Sequence, residues 1–478
     1  MDGVIYRFRP VDKLLNDDGI SGELDSLYMY FAGREQLNDP MEGYADFFFE
    51  GDEIAWNNLL KNYLHCLTKH CTLIAIGGDD NYQLSHHMLE IAKNMSSQLS
   101  GISQEIYHVF LAEPIIADFV SIWHTLGKAS KSELFGYLDG IHFFATDVIT
   151  RILSREGLLP AAPPRNKEKY QYLLNRAKLF IDTFANSNLA LDDKKYFMDS
   201  YVRTNKERSL LNRYKNRHRS FPALFNEMIA FPEKYCASIE KAVYPEWYVA
   251  CFMAQCDDSS IWGTYGKNHT AVCLEFYIQE KPEGLGITLT MPTNMGSSGI
   301  GWSEEFMHFE PVSYGKDFAS IDFFNSLGSI SLDSALRYWL GDGHGRFSTR
   351  AKDLTESEEA WKQKYWEQFY HTATVKSSHW EKEKEFRLIQ SSSLFDLTDT
   401  KLRKLKFKFS SLKGIIFGIN TSIEDKCNLI AKIEHLCNEH KREKFNFYQA
   451  RYDHNSKKIT HDLLTNIKIG YRESTKLV

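Results

Sequence analysis

No apolar run in the chain approaches the roughly 20 residues that a helix needs to cross a bilayer, and the most apolar pieces are strand-length or broken by charge. No membrane partner is expected. A G-x-G-x-x-G placed after a strand pattern and before a helix pattern is also missing, which disfavours a dinucleotide-binding doubly wound fold. Charge excess is small: 57 Lys and Arg against 63 Asp and Glu leave a net charge of -6. That balance argues against wholesale polyanion binding but permits a local basic patch. The eight cysteines (Cys66, Cys71, Cys236, Cys251, Cys256, Cys273, Cys427 and Cys437) are scattered, and the first residues carry no signal-like apolar stretch. Reduced thiols in a cytoplasmic chain are expected. Cys66 and His70 would share a helix face, yet no comparable second pair lies nearby, so no metal is assigned. No internal repeat stands out.

What is present is ample core material. With 478 residues, 43% hydrophobic and 14% aromatic, two or three domains fit. Residues 4–9 alternate as a strand, and Pro10 leads into a short helical pattern at 11–15. A second strand is read at 26–32, followed by the turn-rich Asn38-Asp39-Pro40-Met41-Glu42. Helical spacing dominates 54–242, with stripes at Ile54 to Leu67, around Met88 to Ile102 and at Leu134 to Ile152. Strand character returns at 246–255 and 271–278; residues 282–301 read as a long loop or hairpin, and 333–340 and 357–374 as helices. Residues 401–409 suit an edge strand guarded by lysines. Leu412 to Phe417 is a short apolar run, Ser422-Ile423-Glu424-Asp425 caps a helix to about His440, and the tail reads as a hairpin. The resulting division is a first part of the core at 1–80, a helical insertion at 81–240, and a second part of the core at 241–478.

The densest chemistry lies at Trp380-Glu381-Lys382-Glu383-Lys384-Glu385-Phe386-Arg387. As a strand it would place Glu381, Glu383, Glu385 and Arg387 on one face, an arrangement unfavourable unless a cation or hydroxyl-rich ligand sits there. As a helix it would give an ordinary solvated i, i+4 pair. The strand is the favoured reading. On the first strand, Arg7 and Arg9 share a face opposite Tyr6 and Phe8; they present forks for phosphate or form an edge salt bridge. Asn38, Asp39 and Glu42 offer an amide and two carboxylates, or simply a self-bonded turn. Trp262, Tyr265 and His269 offer ring faces to a nicotinamide or adenine, or fill the core. The basic segment Arg203, Lys206, Arg208, Arg213, Lys215, Arg217 and Arg219 could track nucleic acid or form a solvated helix face.

Taken in order, Tyr6-x-Phe8-Arg9, Asn38-Asp39-Pro40-Met41-Glu42, Trp262-x-x-Tyr265 with His269, Trp380-x-x-Glu383-x-Glu385-x-Arg387 and Leu412 to Gly418 resemble the bacterial domain-of-unknown-function family 2971. The likeness covers about residues 1–65 and 245–460 and omits the helical insertion. A second resemblance, to ADP-ribosyltransferases, rests on the early arginine, the polar loop, the central aromatics and the late Glu-x-Glu. It implies an α+β fold with a split mixed β-sheet core carrying the large helical insertion, and NAD as substrate. It further implies that Glu385 stabilises an oxocarbenium-like transition state and Glu383 activates the acceptor, a nucleic acid or protein. Arg7 or Arg9 would hold the pyrophosphate, with Tyr6, Asn38, Trp262, Tyr265, His269 and Arg387 around the cofactor. The Ser-Thr-Ser stretch of that family is not evident, so no role is carried over to the second strand. The expectation is an NAD-dependent ADP-ribosyltransferase or NAD glycohydrolase, as a toxin or phage-defence effector. The alternative is a nucleic-acid-binding effector whose Asp39, Glu383 and Glu385 hold magnesium for nuclease chemistry.

Overall fold

The structure, a computed structural model, describes residues 3–15, 21–77, 97–162, 164–186, 191–217, 222–297 and 299–471. It is a mixed α+β chain divided into two compact units. The first comprises 1–44, 246–318 and 370–478; the second comprises 45–245 and 319–369.

The first unit is built on strands β1 (Val4–Arg9), β2 (Tyr28–Tyr30), β3 (Trp247–Met253), β4 (Val272–Tyr277), β5 (Gln279–Lys281), β6 (Gly284–Gly296), β7 (Gly299–His308), β8 (Glu310–Pro311), β9 (Ser313–Tyr314), β10 (Val375–Lys376), β11 (Glu385–Ser391), β12 (Lys404–Phe407), β13 (Leu412–Phe417), β14 (Asn446–Asp453) and β15 (Lys458–Leu463). Eight form one mixed sheet in the order β8-β11-β3-β1-β4-β13-β14-β15. A second sheet runs β2-β12-β6-β5, with β7 paired to β6, and β9 and β10 form a short parallel pair. The tail forms a hairpin, and the stretch read over 282–301 as a long loop or hairpin is a hairpin that runs on to His308. The lysine-rich strand β12 lies inside its sheet rather than at an edge, because β2 and β6 both pair with it.

Alternation decides which side chains share a surface of the large sheet. Ile5, Phe252, Leu274, Phe276, Leu388, Ile415 and Phe417 point one way and pack with Ile287, Leu289, Leu405 and Phe407 of the second sheet. The helix Ile423–Glu439 adds Leu429, Ile433 and Leu436 to that core. Its start is fixed by the Ser422 hydroxyl, which accepts from Asp425 N at 3.0 Å, and it links β13 to the parallel β14. On the opposite surface Phe8, Met253, Cys273 and Ile416 are covered by Ile261 and Trp262 of the short helix Ser259–Thr264.

The second unit is mostly helical. The helix Lys131–Arg155 begins in a Ser130/Glu133 capping box and buries Leu134, Leu138, Ile141, Ala145, Val148, Ile149 and Ile152, a stripe at helical spacing. A three-stranded sheet joins Ser320–Asp322, Asp46–Phe49 and Ala129–Ser130. This unit therefore begins at Ala45, not at 81, and also takes in 319–369. The reason is local: Phe49 packs on Phe323 and Phe324, ring centroids 5.0 and 6.3 Å away, and Trp56 packs on Phe324 at 5.4 Å. The expected stripe around Met88 to Ile102 lies outside the described residues up to 96, and its remainder opens the helix Ser97–Leu111. Among the described residues no single helix is long and apolar enough to cross a membrane; the bent pair 100–111 and 114–126 passes on length and composition alone.

Candidate functional site

The acidic segment is not one strand. Residues Ser378–Glu383 form a 3-10 turn, Lys384 adopts a left-handed conformation with φ 44°, and β11 starts only at Glu385. The expected row from Glu381 to Arg387 is thereby corrected: Glu381 is exposed, whereas Glu383, Glu385 and Arg387 are buried. The reversal at Lys384 brings Glu383 back beside Glu385, and both meet a residue that no motif marked, Lys376 of β10.

Lys376 Nζ lies 2.8 Å from Glu42 Oε1, 2.8 Å from Glu383 Oε2 and 3.1 Å from Glu385 Oε2. Arg387 completes the cluster: Nε donates to Glu385 Oε1 at 2.8 Å, Nη2 to Glu42 Oε2 at 2.9 Å, and Nη1 to the carbonyl of Ala373 at 2.6 Å. Ala373 sits in the last turn of the helix Glu358–Thr374, where a guanidinium also suits the dipole. Tyr265 OH donates to Glu383 Oε1 at 2.5 Å, and Glu385 N donates to Tyr314 OH at 2.8 Å. Trp380 lies over Lys376, its ring centroid 4.9 Å from Nζ. All of these residues belong to the first unit.

Three carboxylates against two cations leave the cluster one negative charge in excess. Burial is nearly complete: Glu383 and Glu385 are 3% exposed and Arg387 0%. Burial alone would push the Glu385 carboxyl up, but Arg387 and Lys376 outweigh it and hold it down at about 2. Glu383 moves the other way, because burial is only partly offset by Lys376 and Tyr265. Lys376 is held protonated above its usual range, the pull of Glu385 and Glu42 overcoming burial. One acid is thus fixed as the anion while its neighbour is made readier to take a proton, the pattern by which acid and base roles separate in enzyme sites.

The other sequence candidates divide sharply. Register sets Glu385 opposite Met253 and Met253 opposite Tyr6, so Tyr6 shares the carboxylates' sheet surface, two strands away. Arg7 points to the opposite surface: it is buried, stacks over Phe252 at 5.6 Å and donates to Tyr30 O at 2.9 Å. Arg9 is ion-paired with Glu23. The structure does not bring either arginine to Glu385, because the odd positions of β1 face away from it. Trp262 is fully buried, donates to Cys256 O at 2.8 Å, meets Phe8 edge-on at 4.8 Å and stacks on His269 at 6.2 Å; it fills core rather than offering an open ring. Asn38 is exposed, and Asp39 Oδ1 accepts from Met41 N at 2.9 Å, so the loop is a self-bonded turn whose contribution to the cluster is Glu42.

In the basic helix Leu191–Asn216, Arg208 pairs with Asp139 at 3.3 Å, while Arg213 and Lys215 are exposed. Arg217, just beyond it, lies 3.9 Å over the Tyr214 ring; Arg219 lies outside the described residues. Cys66 is buried in a helix core and its thiol is pushed up to about 12 by burial, which suits a packing role. Among the described residues no group of three or more His, Cys, Asp or Glu is arranged to hold a metal ion.

No family model, no curated protein and no solved structure matches this chain.

Proposed function

We propose that the chain is an NAD-directed glycosyl-transfer enzyme, an ADP-ribosyltransferase or NAD glycohydrolase, working at Glu383 and Glu385. The observation that carries this reading is the surplus negative charge held in a low-dielectric cluster, with Glu385 kept ionised and Glu383 shifted toward protonation. Breaking the bond between nicotinamide and ribose sends the electron pair out with nicotinamide and leaves positive charge on the ribose. A fixed carboxylate beside that carbon lowers the barrier. Glu385 supplies the charge, and Glu383 accepts the proton of the attacking water or acceptor hydroxyl. Entry in this reading is on the side of Tyr265 and Trp380, two of the half-buried side chains that touch the cluster. The resemblance to ADP-ribosyltransferases ties this charge arrangement to NAD, and a toxin or phage-defence role in a bacterial cytoplasm is part of the proposal. The magnesium-nuclease alternative is less favoured, because an ammonium already occupies the centre of the carboxylates.

A second reading has its own support: every carboxylate oxygen of Glu42, Glu383 and Glu385 has a partner, as in a clasp that ties the 38–42 loop to β10 and β11. Nicotinamide release from NAD by the purified chain separates the two. Glu385→Gln lowers that release by about 100-fold or more if the carboxylate stabilises the transition state. No release by the wild-type chain, with water or with a protein or nucleic-acid acceptor, leaves only the clasp.

A further inference from the structure

The second unit holds a cavity of about 420 Å³ with chemistry independent of the carboxylate cluster. Its walls include Phe48, Asp322, Asn325, Arg350, Asp353 and Trp361. Asp322 closes the strand Ser320–Asp322, and Trp361 lies in the helix Glu358–Thr374. The indole nitrogen of Trp361 donates to the Asn325 carbonyl at 2.7 Å, which fixes the ring as a wall. Arg350 shows what the carboxylates prefer: its guanidinium pairs with Asp322 Oδ2 at 3.2 Å and with Glu50 at 2.6 Å.

After those contacts two acceptors are left over. Asp322 Oδ1 and Asn325 Oδ1 are both buried and no side chain donates to either; the Asp322 carboxyl draws on the backbone N–H groups of Asn325 and Phe324, and Asn325 Nδ2 is spent on Asp353 at 2.9 Å. Leaving a buried acceptor without a donor is unfavourable, so the pair is poised for a ligand rich in N–H groups. Asp322 and Asp353 meet Arg350 and Lys364 in the walls, Glu50 takes one arm of Arg350 from outside them, and Lys128 lies over the Phe48 ring at 4.2 Å; burial pushes the Asp322 carboxyl up, the direction that a bound cation relieves. The aromatic walls Phe48 and Trp361 favour a cation as well.

We propose that this cavity binds a small organic cation bearing N–H donors, a guanidinium or primary ammonium compound, with Asp322 and Asn325 as its acceptors and Trp361 as its apolar wall. The volume suits a ligand of that class. Agmatine is the probe, titrated into the full chain by calorimetry and thermal shift, with citrulline as the zwitterionic control, which has a neutral ureido group in place of the guanidinium and a carboxylate beside its ammonium. Agmatine is expected to bind saturably and raise the melting temperature, with citrulline weaker by about tenfold or more. Asp322→Asn, which keeps shape and removes charge, is expected to weaken agmatine about tenfold or more. Should that variant fail to fold, Asn325→Leu serves instead, with the same expected loss. No saturable agmatine binding, equal binding of citrulline, or unchanged affinity in a folded variant overturns the proposal. Because none of these residues belongs to the Glu385 cluster, the outcome is separate from nicotinamide release.

Discussion

Replacing Lys376 with Met keeps most of the aliphatic stem and removes the one ammonium that touches all three carboxylates. Arg387 still serves Glu385 and Glu42, but Glu383 retains only the Tyr265 hydroxyl, and the surplus charge grows from one to two. Breaking a buried pair so that a charge is left uncompensated costs roughly 3–5 kcal/mol. The chain can evade part of that cost by protonating Glu383, already shifted upward by burial. Once Glu383 titrates above its unfolded value, lowering the pH recovers about 1.4 kcal/mol per unit, down to the unfolded carboxylate range. The sign is opposite for Glu385 in the native chain. Its value of about 2 lies below the unfolded 4.5, so its contribution of about 3 kcal/mol is complete above that unfolded value and lost as pH falls through 2. Urea unfolding of wild type and Lys376→Met at about pH 7.5 and about pH 5.5 reads both effects, with the slope against urea held as the control for compactness. The expected deficit is several kcal/mol at the higher pH and distinctly smaller at the lower. A deficit below about 1 kcal/mol at the higher pH, or one equal at both, refutes the charge reasoning.

Two other perturbations test the scaffold around the cluster. Cys256 hydrogen-bonds Cys273 and lies 3.8 Å from His461 Nδ1; these contacts bring its thiol down to about 7 and hold the imidazole of His461 above its usual value. Cys256→Ser is expected to lower the His461 titration midpoint, read by NMR. An unchanged midpoint counts against the contact. Gly418 follows β13, where an added Cβ would sit 2.2 Å from His269 O and 2.6 Å from Ala271 O. Gly418→Ala should therefore cost about 2 kcal/mol or more, while Gly263→Ala, with open space at its Cβ, should cost nothing measurable. Equal unfolding midpoints for the two variants contradict that reading.

Elements with strong local signals were legible in the sequence. The alternation of Val4 to Arg9, the Ser422 cap and the apolar run Leu412 to Phe417 each report a local preference that the tertiary fold retains. The acidic segment defeated period-two reasoning because that logic assumes an unbroken extended backbone, and a single left-handed residue, Lys384, resets the phase between Glu383 and Glu385. Glu42 was visible within its turn, but its partner was not. Lys376 looks like any lysine after a helix; only the parallel pairing of Val375–Lys376 with Ser313–Tyr314, a contact between segments remote in sequence, carries it to the carboxylates. That Arg7 and Arg9 share a face opposite Tyr6 and Phe8 was readable from their alternation. Which surface would hold the carboxylates was not, because register among β1, β3 and β11 is set by the whole sheet.

The count of charges bears on whether the cluster is only a clasp. Two cations need two carboxylates, and Arg387 with Lys376 would be matched by Glu42 and Glu385 alone. Glu383 is the surplus group, and its environment pushes it toward the neutral form. A residue kept solely for stability would not be expected at such a position, because a buried excess charge is a cost. Glu383→Gln preserves the shape; its amide oxygen can accept from Lys376 while its amide nitrogen donates to the Tyr265 oxygen, and the net charge of the cluster falls to zero. It is expected to leave urea stability unchanged or raise it by up to about 2 kcal/mol, and to lower nicotinamide release by at least about tenfold, the trade expected of a functional carboxylate. If the variant is instead destabilised by several kcal/mol and its release per folded molecule is unaltered, Glu383 belongs to the clasp and the assignment of proton transfer to it is wrong.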